Sequence, residues 1–273
     1  MDEIRTVFAK YGGVARAKVL EAEKVSAARL RLAVADGSIE KIARGVYALQ
    51  GAPADLKRIR SLPAEPVCVT AAAMLGLWVL KAPARAHIGI THGRCYEEFV
   101  CHRFSGRPDV ADVVVQCLRC LPPIEALVVA ESAVVKKRTS VAEIRRRLTH
   151  RNDASARALV GRIVPQSQSI LECVARFHLV AAGYIVDSQV KVAGLGHLDL
   201  MVDGVLGVET DGAGFHSAGP EFEEDRRRWN VATRSGLPVV IATYSMVVQR
   251  PQEFLALIRD TMDMLSVRPR PGT

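Results

Sequence analysis

The chain has 273 residues, of which 37 are Lys or Arg and 29 are Asp or Glu, so its formal net charge is +8. No apolar run of about 18 residues occurs, and the first residues, MDEIRTVFAK, lack the basic and apolar regions of a signal peptide. These features argue against membrane insertion and secretion. We therefore expect a cytoplasmic protein of two or three domains whose six cysteines are reduced thiols.

The charge is divided unevenly along the chain. Residues 1–166 carry 27 basic and 16 acidic side chains, whereas residues 167–273 carry 10 and 13. A basic body with an acidic end is typical of a protein that binds phosphates with one part and cations with another. An ordinary solvated surface is the alternative.

Residues 1–50 predict short helices followed by two strands. Turns are expected at Asp36-Gly37 and Arg44-Gly45. The predicted elements are a helix from Asp2 to Lys10, a helix from Ala15 to Ala22, a helix from Ala27 to Ala35 capped by Ser26, and strands from Ser38 to Ile42 and Val46 to Leu49. This order predicts a winged helix-turn-helix.

The segment GGVARAKVLEAEKVSAARLRLAVADGSIEKIARGVYAL resembles the N-terminal domain of AbiEi-type antitoxins of type IV toxin–antitoxin systems. The resemblance implies that the third helix enters the major groove of DNA and the wing touches phosphates. Arg29 and Arg31 would then lie near bases, and Lys41 and Arg44 on the backbone. Ala27 and Ala28 stand where family members usually carry basic residues, so protein contacts are the alternative for this helix.

Residues 51–166 are interpreted as a mixed α/β connector that resembles the corresponding region of AbiEi-like proteins. A Pro-containing basic linker is expected over 53–66, followed by a helix that Thr70 caps. The segments AHIGI and VVVQCL predict strands, and residues 124–137 and 141–148 predict helices. Arg145, Arg146 and Arg147 indicate a solvated helix face, with phosphate contact as the alternative.

Four cysteines in the connector raise the hypothesis of a zinc site. They are Cys95, Cys101, Cys117 and Cys120. A structural zinc site usually pairs two tight knuckles, whereas here one pair is loosely spaced and the other follows an apolar segment. Buried free thiols are therefore the expectation.

Residues 167–273 predict the order αββαβα, with a hairpin at HLDLMVDGVLGVETDG. A three-residue loop at 203–205 would place Asp199 opposite Glu209. Strand alternation then sends Leu198, Leu200, Val202, Leu206, Val208 and Thr210 to one face, and Asp199, Met201, Gly207, Glu209 and Asp211 to the other. Three crowded carboxylates predict a site for Mg²⁺ or Mn²⁺, which prefer oxygen ligands and can activate water.

At these residues the segment resembles the Vsr-like branch, related to very-short-patch-repair endonucleases, of the PD-(D/E)XK nuclease superfamily. The motif residues are Asp199, Glu209-Thr210-Asp211-Gly212, His216 and Asp225-Arg226-Arg227-Arg228. The resemblance implies that Asp199, Glu209 and Asp211 hold the metal and His216 transfers a proton or contacts phosphate. Arg226 and Arg228 would hold the scissile strand. Glu172 would complete the acidic cluster, or would serve as the N3 residue of a capping box with Ser169.

The sequence thus predicts an α/β multidomain protein: a winged helix-turn-helix (1–50), an AbiEi-like connector (51–166) and a restriction-endonuclease-like domain (167–273). Its expected function is Mg²⁺-dependent cleavage of double-stranded DNA in bacterial defence or repair. Trp229 and Ala242 stand where relatives usually carry Asp and Arg, so the alternative is a regulator or type IV antitoxin with an inactive nuclease fold. An RNA-directed nuclease is a third reading. A toxin or defence partner is expected, and the oligomeric state stays open.

Overall fold

The computed structural model describes residues 2–211, 227 and 230–267 of the chain. The N-terminal unit contains three helices and a three-stranded antiparallel sheet in the order β1-β3-β2. Its elements are α1 (Asp2–Ala9), β1 (Val14–Arg16), α2 (Ala17–Ala22), α3 (Ala27–Ala35), β2 (Ile39–Ala43) and β3 (Val46–Leu49). The predicted elements are confirmed, but β1 was missed, because Ala15 and Arg16 were assigned to the start of the second helix.

Two apolar clusters hold the N-terminal unit together. Phe8, Leu20 and Leu30 are buried between the helices, and Ser26 caps α3 by accepting a hydrogen bond from the N–H of Arg29 at 3.3 Å. The second cluster joins Val14 and the strand β3 to Leu56, which lies beyond the unit. The N-terminal unit, residues 2–50, is called the winged unit below. It has its own core and a second core that it shares with the next segment.

Residues 53–66 are not the Pro-containing basic linker that the sequence predicted. They contain helix α4 (Ala54–Ser61) and the short strand β4 (Glu65–Pro66). The buried Arg60 donates to the carbonyl oxygens of Tyr11, at 3.1 Å, and Val14. Prolines at both ends suggested a linker, whereas the apolar side of α4 finds a partner on the sheet of the winged unit.

The connector is a small sheet covered by helices. Its sheet has the order β4-β5-β6, with β5 and β6 parallel. The further elements are α5 (Cys68–Met74), β5 (His87–Ile90), β6 (Val100–Arg103), α6 (Val110–Cys120), α7 (Pro123–Val135), α8 (Val141–Arg147) and α9 (Ala154–Val160). The predicted strand at AHIGI and the helices that became α7 and α8 are confirmed.

Two predictions for the connector were wrong. VVVQCL is helical and lies within α6, because Asp109 and Asp112 form a capping box at its start and Val113, Val114 and Val115 are buried on several sides. Thr70 does not cap α5. Its hydroxyl accepts a hydrogen bond from the backbone N–H of His87 at 2.7 Å, which joins the helix to β5.

The C-terminal region packs helix α10 (Ile170–Ala181) against a four-stranded sheet in the order β10-β9-β8-β7. Its strands are β7 (Val186–Val192), β8 (Gly196–Val202), β9 (Leu206–Asp211) and β10 (Val239–Thr243), and the last described helix is Pro251–Val267. The predicted hairpin, last strand and last helix are confirmed. β7 precedes them as an additional element, and the start of the helix predicted from Pro220 lies outside the described residues.

One apolar core runs through the connector and the C-terminal region. It includes Val114 and Leu127 on one side and Val174 and Val208 on the other. A buried ion pair between Glu131 on α7 and Arg176 on α10 lies in the same interior, and Ser167 accepts a hydrogen bond from Arg176 at 2.8 Å. Among the described residues, no helix is long and apolar enough to cross a membrane.

Candidate nucleic-acid interface and acidic cluster

The outer surface of α3 combines charge with exposed apolar side chains. Arg31 is exposed, and Leu32 beside it is 69% exposed. Arg29 instead forms an ion pair with Glu3 of α1 at 2.8 Å, so its guanidinium is partly occupied within the unit. Of the two arginines predicted to lie near bases, the structure leaves Arg31 the freer to contact a ligand.

The wing is the turn between β2 and β3. Lys41 and Arg44 are both exposed, and the register of the two strands shifts between Lys41 and Ala43. Gly45 has a φ of 70° and its carbonyl accepts the N–H of Ala17 at 2.8 Å, so the tip of the wing lies against the start of α2. In the described part of the chain, Arg31, Lys41 and Arg44 have no ion-pair partner, which leaves these cations available to phosphates.

The register of the β8–β9 hairpin is the predicted one. Leu200 pairs with Val208 and Val202 with Leu206, so the loop has three residues, 203–205. Asp203 has a φ of 47°, and its carboxylate accepts the N–H of Ile185 at 2.8 Å, which stabilises the turn. Continuing this register would place Asp199 across from Glu209.

The alternation predicted for the two hairpin strands fails at Asp199. Leu200 packs in the main core, whereas Leu198 packs in a separate cluster with Ala232 on the opposite side of the sheet. A Cβ on Gly207 would point to that same side, toward Leu198. At the same level of the sheet, Gln189 on β7 adopts a φ of 55° and is absent from the otherwise continuous pairing of β7 with β8. Thr210, predicted on the face opposite Asp199, donates to the Asp199 carboxylate through its hydroxyl at 2.8 Å and its N–H at 2.9 Å.

Glu172 lies beside Asp199 and is the N3 residue of α10, but its carboxylate does not complete the predicted capping box, and its role in metal binding stays a prediction. Ser169 caps α10 by accepting the N–H of Glu172 at 3.1 Å. The Glu172 carboxylate accepts the N–H of Gln168 at 3.0 Å and the amide of Gln189 at 2.8 Å. Burial, with the nearby Asp199 charge, raises the pKa of Glu172 above its ordinary range.

Gln189 and Thr210 are site residues that the sequence reasoning missed. The Gln189 amide contacts Glu172 and reaches Asp199 at 3.3 Å, so it bridges the two carboxylates. Thr210 lies within the motif Glu209-Thr210-Asp211. Its hydrogen bonds to Asp199 could not be predicted, because regular alternation places the two side chains on opposite faces. Nothing local marks Gln189, because its position follows from a left-handed backbone conformation inside a strand.

The remaining predicted site residues fall into two groups. Glu209 and Asp211 are half-buried on β9, where they pair with Ile241 and Thr243 of β10. The others, His216, Arg226 and Arg228, lie outside the described residues, as does Trp229. The structure therefore brings together Glu172 and Asp199, and the joint placement of the other acids stays a prediction.

The cysteines of the connector differ from the expectation of free thiols. Cys95 and Cys101 form a disulfide across the segment between β5 and β6, because the chain folds back on itself there. Cys117 is a buried free thiol, as predicted. Cys120 is an exposed free thiol at the end of α6, so the four cysteines do not form one cluster.

The winged unit matches the model of a known protein family. Residues 2–50 match the family model described as "Transcriptional regulator, AbiEi antitoxin". No curated protein matches the chain. The match covers the whole element order from α1 to β3, and the resemblance that the sequence suggested is confirmed for this segment.

Proposed function

We propose that this chain is a DNA-binding transcriptional regulator of the AbiEi antitoxin type. The observation that carries the proposal is the coincidence of the family match over residues 2–50 with a unit that presents α3 and a basic wing together. A helix presented on a small core beside a β-hairpin is the geometry by which winged helices read duplex DNA. The regulated promoter would be that of its own operon, and a toxin is the expected protein partner.

The exposed cations of α3 and of the wing would contact different parts of the DNA. Arg31, on the outer face of α3, would contact base edges in the major groove, since an arginine can donate two hydrogen bonds to guanine. Lys41 and Arg44 would neutralise phosphates beside the groove. Arg29 would hold α3 to α1 through Glu3, and its second nitrogen remains available to the DNA.

Fluorescence anisotropy on a duplex from the region upstream of its own coding sequence tests this function. The triple variant Arg31→Ala, Lys41→Ala, Arg44→Ala removes the exposed cations of α3 and the wing without touching the core. We expect it to weaken binding at least about a hundredfold, since a base contact contributes about 1–3 kcal/mol and each phosphate contact adds to it.

The matched control is Arg58→Ala, which removes an exposed cation of α4 that is paired with Glu98 at 2.8 Å. Its affinity should equal that of the native chain. Equal affinity of the triple variant and the native chain would refute DNA binding through the winged unit.

A second candidate function is Mg²⁺-dependent DNA cleavage by the C-terminal region. The observation that favours it is the convergence of Glu172 on α10 with Asp199 on β8, joined by Gln189. Asp199 would hold the ion with Glu172 next to it, on the face that Thr210 shares. Glu209 and Asp211 alternate with Thr210 along β9, so their metal-binding role rests on the motif alone. Bound Mg²⁺ supplies a Lewis acid that lowers the pKa of a water and stabilises the leaving oxygen. His216, Arg226 and Arg228 keep the proton-transfer and phosphate roles that the motif implies.

Nicking of supercoiled plasmid in Mg²⁺ or Mn²⁺ separates the two candidates. A nuclease requires activity in the native chain that Asp199→Ala and Glu209→Ala both abolish. Asp187→Ala, an exposed carboxylate on β7, is the control that should remain active. Absence of cleavage in the native chain, together with intact DNA binding, would refute the nuclease and leave the regulator.

A further inference from the structure

Four side chains with metal-binding atoms converge on one point of the connector. They are Cys68, His87, His102 and Cys120. One ligand atom from each lies within 4.8 Å of the corresponding atoms of the others. Nδ1 of His87 is 3.1 Å from Nε2 of His102 and 3.8 Å from Sγ of Cys120.

The fold builds this cluster from four separate elements. Cys68 begins α5, His87 begins β5, His102 lies in β6, and Cys120 ends α6. In the parallel pair β5–β6, His102 lies opposite Gly89, so alternation places His87 and His102 on the same face of the sheet. The two thiols come from the helices that cover this face.

The backbone around Cys68 is held in place by neighbouring side chains. Cys68 has a φ of 50°, a left-handed conformation that costs free energy for a residue with a Cβ. Its N–H donates to Oε1 of Gln116 on α6 at 2.8 Å, and the N–H of Val67 donates to the carbonyl of His87 at 3.1 Å. These bonds fix a costly conformation that directs the Cys68 thiol toward the two imidazoles.

The spacing of these atoms agrees with tetrahedral coordination. Zinc–nitrogen and zinc–sulfur bonds of about 2.0 Å and 2.3 Å give tetrahedron edges of about 3.3 Å between nitrogens and about 3.8 Å between sulfurs. A hydrogen bond between the imidazoles would explain the 3.1 Å distance alone. It would not explain why two thiols from different helices lie at the same point.

We propose that Cys68, His87, His102 and Cys120 bind one Zn²⁺ in a structural Cys₂His₂ site. Tetrahedral sulfur and nitrogen ligands select zinc among the common divalent ions, and four protein ligands leave no position open for catalysis. Two thiolates balance the charge of the ion. The ion joins α5, β5, β6 and α6 at one point, on the face of the sheet that carries His87 and His102.

The zinc site also forms one wall of a basic cleft. His102 and Cys120 line this cleft, and the arginines that line it with them are Arg103, Arg119, Arg146 and Arg147. Arg119 and Arg147 are held by acidic partners, at 2.8 Å from Asp153 and 2.7 Å from Asp112 respectively. Loss of the ion would therefore loosen the strand and helix that carry two walls of the cleft.

Metal content of the tag-free, full-length protein tests the site. Elemental analysis after dialysis against a competing chelator should give about one zinc per native chain. Cys120→Ser and His102→Asn change ligands that are not fully buried, so both variants should fold, which circular dichroism checks. Each variant should retain at most about one tenth of the zinc that the native chain retains. Replacement by Co²⁺ should give the absorption of a tetrahedral thiolate complex.

The control variant is Cys95→Ser with Cys101→Ser, which removes the two other connector cysteines that form the disulfide. It should keep its zinc and its cobalt spectrum. The proposal is overturned if the native chain, titrated with Zn²⁺, binds none. It is equally overturned if Cys120→Ser and His102→Asn bind like the native chain, or if mass spectrometry finds Cys68 and Cys120 joined as a disulfide without metal.

Discussion

The winged unit and the C-terminal region differ in how their candidate sites relate to their cores. In residues 2–50 the cations Arg31, Lys41 and Arg44 lie on the surface, away from the buried Phe8 and Leu20. In the C-terminal region Glu172 is 2% exposed, and its hydrogen bonds also hold the start of α10. The candidate DNA-binding residues of the winged unit can therefore be exchanged without cost to folding, whereas substitutions at Glu172 should also change stability.

The two regions also differ in how independently they fold. The cluster around Phe8 is confined to the winged unit, whereas the core around Val174 continues into the connector. Damage to the core around Val174 should spread through the connector and C-terminal region, whereas the cluster around Phe8 should stay folded, since only the smaller cluster around Val14 extends to α4. The predictions below test this difference, from the largest expected effect to the smallest.

Arg176→Met should have the largest effect. It leaves the fully buried carboxylate of Glu131 without its cation, which costs about 3–5 kcal/mol. Urea unfolding followed by circular dichroism measures the loss, and anisotropy at low temperature should show unchanged DNA affinity. Arg58→Met, which breaks an exposed ion pair, should cost less than about 1 kcal/mol. Equal losses in the two variants would contradict the shared buried core.

Gly207→Ala should have an intermediate effect. A Cβ at this position would lie 2.6 Å from Cδ2 of Leu198, which is fully buried, and 3.2 Å from Cγ2 of Val239. Because neither strand can shift freely, we expect a loss of about 1–3 kcal/mol in unfolding free energy. Val205→Ala in the exposed loop is the control and should be nearly neutral. A neutral Gly207→Ala would show that Leu198 does not pack against β9.

The smallest effects concern pH, and two carboxylates should give opposite signs. The pKa of Glu172 is raised by burial, so its ionisation destabilises the folded state as pH rises from its ordinary 4.5 through the folded pKa. The stability of Glu172→Gln relative to the native chain should therefore increase with pH over that window. Each group can contribute at most about 1.4 kcal/mol per pH unit.

Asp153 is the contrasting case. The Arg119 guanidinium, at 2.8 Å from both carboxylate oxygens, lowers the pKa of Asp153 below its ordinary 3.8. Its stabilisation is complete above the ordinary value and is lost as pH falls through the folded pKa. Urea unfolding from about pH 3 to about pH 8 should show Asp153→Asn approaching the native stability as the pH falls. Profiles of the same sign would contradict the assigned environments.

The winged unit was predictable from sequence because its signals are local. Ser26 as an N-cap, Gly37 and Gly45 at turns, and apolar spacing within short segments fix the elements before any distant contact forms. Only β1 was missed. Three residues cannot show a strand pattern, and Val14 becomes a strand because β3 lies beside it.

The connector and the acidic cluster were predicted less well because distant contacts decide them. The β-branched run in α6 reads as a strand unless the capping box and the burial of the whole helix are known. Leu198 and Asp199 lie on the faces opposite to those that alternation predicts, and Asp199 therefore meets Thr210. The four candidate zinc ligands come from elements that are far apart in sequence, so they do not form a recognisable zinc-binding sequence motif.

Selection of bound duplexes from a random-sequence DNA pool tests the central claim most directly. The full chain, Arg31→Ala and the control Arg58→Ala would be compared under matched salt. We predict that the native chain and the control enrich the same sequence and that Arg31→Ala loses preference at one base pair while keeping nonspecific binding. Enrichment of an unchanged sequence by Arg31→Ala, or no enrichment by the native chain, would contradict base reading by α3.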